Sequence, residues 1–342
     1  MTINKKASLL FLLSTLLYLL LSLFLVFLGS FGSLDENLLF LLNSIAVSVP
    51  AFLIPALVFR RTQRFPVFKA PHITHVLIAF VIGLGCVFLN QALTCLNEAI
   101  FMDVRVVDYS TDAYSVLELD PVVMVIALGI LPPVCEEFIM RGTLLESWRR
   151  SSPVGAALLT AFLFGLLHAA PSSLMIYFGL GVLFALVYLI TRNVWLTVIV
   201  HMVNNFASVI IAIALQNGDY SASLTGNTYT ILNMSDLRAA YIGEFIYTAL
   251  IAGALIVPMM FVLRTSCRRR GKGKYAYNYD SLADGREFES YSDLLDDPIA
   301  GPEEEKGRPS LLGDLFLWIA MGLLLALNIV TGLSEFGVIT LE

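Results

Sequence analysis

Charge is what this sequence has least of. Only 14% of its 342 residues are Asp, Glu, Lys or Arg, where a soluble domain carries about a quarter. Cysteine and histidine are equally sparse, at four each. Cys86, Cys95, Cys135 and Cys267 have neither zinc-knuckle nor disulfide-framework spacing, so they read as packing residues. The few charges are also segregated, so a net charge of -6 says little about partners. No nucleic-acid partner is expected.

What is abundant is apolar: 58% of the residues are hydrophobic. They come in blocks of roughly 20, the length that crosses a hydrocarbon core of about 30 Å at 1.5 Å per residue. The expected fold is therefore all-α, a polytopic transmembrane bundle of about nine spans. These cover roughly residues 8–31, 38–59, 73–97, 121–148, 153–170, 172–191, 194–215, 239–263 and 311–333. The first follows Lys5 and Lys6 and is too long for a signal peptide core, so it reads as a retained span. Multi-pass residence in the cell membrane, among its lipids, follows.

Basic residues stay cytoplasmic. With the N-terminus inside, all Lys and Arg except Arg105, Arg141 and Arg238 fall inside, 18 of 21. The expected topology is N-inside, C-outside. The expected domains are a helical unit 1–264 with a core near 121–210, a cytoplasmic loop 265–309 of disordered character, and a last helix with its tail, 310–342. The loop opens with Arg268, Arg269 and Arg270, suited to anionic headgroups, and turns acidic toward Glu305.

Ionisable residues inside a bilayer are costly and ask for a reason. The fourth span holds Glu136, Glu137 and Arg141; the fifth holds Phe164 and His168; the seventh holds His201, Asn204 and Asn205. At 1.5 Å per residue, Glu136 and His168 stand about 20 and 22 Å above the cytoplasmic boundary, His201 and Asn205 about 12 and 18 Å. The four fall in one layer, near mid-membrane and somewhat toward the cytoplasm. Glu137 and Arg141 are i,i+4 neighbours that can pair, leaving Glu136, 100° away, to face a cavity. His201 and Asn205 share the i,i+4 spacing, as do Phe164 and His168.

Peptide hydrolysis needs a base for water and donors for the tetrahedral oxyanion. A carboxylate with a histidine suits the first task, and an imidazole N–H with an Asn amide suits the second. Glu136, His168 and His201 could instead hold a zinc ion with water as fourth ligand. Spacing does not decide between these. The outer polar residues Asn90, Gln91, Asn97, Glu98 and Glu244 read as interhelical or water-facing partners.

Glu-Glu-x-x-x-Arg, Phe-x-x-x-His and His-x-x-x-Asn, in order and each on its own membrane helix, resemble the CAAX protease and bacteriocin-processing (Abi) family of intramembrane peptidases. The resemblance covers roughly residues 121–210. It implies that Glu136 and His168 activate a water, that His201 and Asn205 hold the oxyanion, and that the partner is a membrane-associated peptide or protein. In the eukaryotic branch the substrates are prenylated tails; nothing in this sequence indicates a prenyl group. The ninth span and the loop 265–309 have no counterpart in the family core. Two alternatives stand beside a peptidase. One is a catalytically silent immunity or scaffold protein. The other is a transporter with a buried Glu/His path, for which repeated halves would be expected.

Overall fold

The computed structural model describes residues 2–29, 35–63, 70–101, 119–149, 151–217, 234–271 and 313–335. Among them there are helices and no strands. This is the solution lipid imposes, because a spanning segment must satisfy its backbone polar groups within itself.

In chain order, α1 is Ile3–Gly29. Helix α2 joins Glu36–Ser48 to Ile54–Gln63 through a π-helical turn, Val49–Leu53. Helix α3 is Ile73–Phe101. Helix α4, Pro121–Trp148, is broken twice by π-helical turns, Val125–Ile130 and Met140–Leu145. Helix α5 is Pro153–Leu167, and a 3-10 turn, Pro171–Ser173, leads into α6, Leu174–Thr191. Then come α7 (Val194–Asn217), α8 (Met234–Gly271) and α9 (Leu315–Glu335). Eight of these segments are long and apolar enough to cross a membrane; α5, with 15 residues, is the short one. The chain is thus a multi-pass membrane protein.

Two boundaries differ from expectation in ways that matter. The expected fifth span reaches residue 170, but the helix ends at Leu167, because His168 caps it and Ala169 takes a left-handed backbone with φ 47. The eighth continues past residue 264 to Gly271, so the first part of the expected loop is helical. The rest of that loop lies outside the described residues.

Local chemistry sets the helix starts. Asp35, Asp120 and Ser152 accept from Leu38 N, Val122 N and Gly155 N, and Pro121 and Pro153 occupy the first helical position of α4 and α5. Helix α3 lies against α8 and α7, α5 against α6, and α9 against α1 and α5. Helices α4 to α7 thus form a nest, with α3 closing one side.

The α5–α6 approach depends on Gly181, where an added Cβ would stand 2.9 Å from the Ala161 Cα. Overpacking at such a contact costs about 1–3 kcal/mol. Gly181→Ala is therefore expected to lower the thermal midpoint in detergent. Gly253→Ala, where a Cβ meets nothing within 4 Å, is expected to leave it unchanged or raise it.

Candidate active site

Helix α4 carries Pro132 and Pro133 in its middle, and two prolines in a row remove two backbone donors. The Leu128 carbonyl would look to residue 132 in an α-helix and to residue 133 in a π-helix, and neither has an N–H. Asn205 Nδ2, from α7, donates to it at 2.9 Å. The neighbouring Ala127 carbonyl would look to residue 131 or 132. Leu131 N–H goes to Ile126 O, and Ser44 Oγ of α2 donates to Ala127 O at 2.9 Å. A polar side chain from another helix thus satisfies both of these carbonyls.

One turn further on stand the acidic residues. Glu137 and Arg141 have no exposed surface, and Arg141 Nη1 donates to Glu137 Oε1 at 2.9 Å. Arg141 Nη2 donates to the Gly181 carbonyl of α6 at 2.9 Å. The same Glu137 Oε1 lies 3.1 Å from His201 Nδ1 on α7. A carboxylate paired with a guanidinium is an acceptor, so the proton of this contact sits on His201 Nδ1. Phe164 stands among them, with Arg141 Cζ 4.9 Å from its ring centroid and the rings of His168 and His201 edge-on at 4.8 and 5.7 Å.

His168 is fixed in a parallel way. Its Nδ1 is 2.8 Å from the Phe164 carbonyl, which can only accept, so Nδ1 carries the proton. Tyr177 of α6 stacks on the ring at 3.8 Å with an interplanar angle of 16°, and Phe184 stacks on His201 at 4.7 Å. In both histidines Nδ1 is committed and Nε2 is the nitrogen left for chemistry.

Glu136, His168, His201, Asn204 and Asn205 line one cavity of about 610 Å³, together with Asn90, Thr94 and Glu98 of α3. Glu136 Oε2 is buried with no hydrogen-bond partner. Asn204 has no role in the sequence motifs; its Nδ2 donates to Asn205 Oδ1 at 3.3 Å while its own Oδ1 is buried and unpartnered. Its adjacency to Asn205 is the available signal. Tyr177 is likewise outside the motifs, and nothing in its spacing marks it.

Glu136, His168 and His201, the possible metal set, all line this cavity. Among the described residues, no three His, Cys, Asp or Glu side chains form a group that could hold an ion. The cavity extends toward one end of the bundle. From the level of Glu136 and His201, its lining continues to Leu128, Ser208, Val209, Ala212 and Glu98, away from the Arg149 end of α4.

Residues 118–207 match the family described as Type II CAAX prenyl endopeptidase Rce1-like. Over that stretch the chain is similar to the CAAX protease and bacteriocin-processing family. A curated relative, named "Putative membrane peptidase YdiL" from Bacillus subtilis (strain 168), is 29% identical over 83 residues, 24% of this chain and 34% of the relative. The chain thus spans about a third of the length of that relative. No solved structure matches.

Two outcomes are expected from the site's framework. Removing one partner of a buried ion pair costs about 3–5 kcal/mol. Arg141→Ala is expected to cut folded yield and thermal midpoint, and by less than additively when Glu137→Gln is already present. Asn205→Ala leaves the Leu128 carbonyl bare, a cost of about 1–3 kcal/mol. Adding Pro132→Ala, which restores a backbone donor, is expected to recover part of that loss in the thermal midpoint.

Proposed function

We propose that the chain is an intramembrane endopeptidase that hydrolyses a peptide bond in a membrane-associated peptide or protein. Glu136 carries this reading. It is a carboxylate in a polar cavity, its Oε2 has no partner, and two histidines with oriented rings share that cavity. A purely structural glutamate at this depth would be paired, as its neighbour Glu137 is.

In the proposed reaction Glu136 takes a proton from water, and the water oxygen bonds to the scissile carbonyl carbon. His168 Nε2, its tautomer fixed by the Phe164 carbonyl, accepts from the same water and orients it. The carbonyl oxygen becomes an oxyanion. The second N–H of the Asn205 amide and, in its protonated form, His201 Nε2–H serve as donors. Glu137 holds His201 from behind through Nδ1, much as a carboxylate orients the histidine of a triad. Collapse of the intermediate breaks the C–N bond, and the leaving amine takes the proton from Glu136. The products are a carboxylic acid and an amine. No step in this scheme requires an ion.

The test is hydrolysis of transmembrane peptides by purified protein in detergent or proteoliposomes, followed by mass spectrometry. Glu136→Gln is expected to abolish cleavage with a near-normal thermal midpoint, because the amide keeps the shape and loses the basicity. Asn205→Ala is expected to retain turnover reduced by about 10²–10³. Wild-type turnover by Glu136→Gln would refute the assignment. A folded protein that cleaves no peptide would favour the silent immunity or scaffold alternative.

A further inference from the structure

The bundle has two chemically different ends, and its hydrogen bonds identify them. At one end Asn4 Nδ2 of α1 donates to Ser151 Oγ, just after α4, at 2.8 Å. Glu146 there accepts from Arg149 Nε at 3.0 Å, from Tyr188 Oη at 2.8 Å, and from Arg192 between α6 and α7. The start of α2 and the ends of α3 and α7 lie at the other end. There Asn37 Oδ1 accepts from Asp120 N at 2.7 Å, and Gln216 Nε2 donates to Leu119 O at 2.7 Å.

Cations divide between the ends unequally. Lys5, Lys6, Arg149 and Arg192 are at the first end. So is Arg264, because His75 of α3 bonds Ser266 of α8 at 3.0 Å near the start of α3. Among the described residues only Arg238 belongs to the second. Charge asymmetry of this kind keeps the first end in the cytoplasm.

From the level of the histidines the cavity runs toward the second end. Its walls are the last turns of α3 (Asn90, Thr94, Glu98), the outer half of α7 (Ser208), the 3-10 turn before α6 (Ser173) and the first turn of α6 (Tyr177). Asn90, Thr94 and Glu98 recur at i, i+4 and i+8, so they form one polar face of α3 running from the level of the histidines to the helix end. Toward the first end, the path from the histidines is filled instead. Arg141, Leu144, Leu145 and Trp148 are fully buried there, and Glu146 pairs with Arg149 at the end of its own helix and with Arg192 beyond α6.

We infer that the cavity is entered from the extracytoplasmic face, and that its substrate is a peptide segment presented on that side of the membrane. The hydroxyls and amide along α3 and α7 suit the N–H and C=O groups of an extended chain. The substrate half of this inference rests on the peptidase reading; the access half does not.

The experiment separates the two. In a background where the four native cysteines are replaced, Thr94→Cys and Ser208→Cys are treated in intact cells with a charged, membrane-impermeant maleimide. Ala70→Cys, exposed at the first end just before α3, is the control, and monodisperse elution in detergent verifies folding. The expected result is labelling of Thr94→Cys and Ser208→Cys in intact cells, and of Ala70→Cys only after permeabilisation. The reverse pattern, or cavity cysteines that react from neither face, overturns the access inference. For the substrate half, a transmembrane peptide is supplied to one face of oriented proteoliposomes. Cleavage when its segment is presented on the extracytoplasmic face supports it, and cleavage only from the cytoplasmic face overturns it. Outside-facing labels with no cleavage from either face would uphold access and remove the peptidase reading with its substrate.

Discussion

Arg141 has no exposed surface, and neither does Glu137. A guanidinium in that position holds only if every element around it is in register. Its two terminal nitrogens reach Glu137 on its own helix and the Gly181 carbonyl on α6, while Glu137 reaches His201 on α7. Three helices are therefore fixed relative to one another by two charges that neither lipid nor water compensates. Gly181 lets α6 approach α5 closely, with Ala161 2.9 Å from where a Cβ would stand. Phe164 of α5 then fills the space between the guanidinium and the two imidazoles. If this pair moved, His201 would lose its orientation and Phe164 its support. The acid–base geometry depends on a structural salt bridge one residue away from the proposed base.

Part of this was legible in the chain. Apolar blocks of membrane length announce the helices, because backbone satisfaction in lipid leaves no other choice. The i,i+4 spacing announces the Glu137–Arg141 contact, and the same geometry turns Glu136 toward another face. Less legible were interactions that require knowing which helices touch. His201 bonds the second glutamate, a contact across 64 positions that no periodicity encodes. The Asn205 bond to the Leu128 carbonyl is different: Pro132-Pro133 in a span states that a carbonyl is orphaned and needs a donor, but not which helix supplies it. Glu146 and Arg149 were readable as an i,i+3 pair; Arg192 and Tyr188 completing that cluster were not. Depth arithmetic placed the four polar residues in one layer, yet it could not indicate on which side of them the packing leaves space.

The short helix explains why space is left there. Fifteen residues at 1.5 Å each make about 22 Å, less than the hydrocarbon thickness of about 30 Å. Helix α5 starts at Pro153 beside the Arg149 end and so finishes at Leu167 inside the membrane's depth. The backbone beyond Leu167 is irregular: His168 as cap, Ala169 with a positive φ, and the 3-10 turn at Pro171–Ser173. Non-helical backbone at that depth persists only where it is buried in protein or lines a polar cavity. Here it does both. Asn328 Nδ2 of α9 donates to the Leu166 carbonyl at 2.8 Å on one side, and the cavity with Ser173 and His168 in its wall lies on the other. A full-length α5 would have carried His168 past mid-helix and closed the space in front of it. Stopping the helix early places the imidazole at an end, aims it with the Phe164 carbonyl, and leaves a polar volume before Glu136.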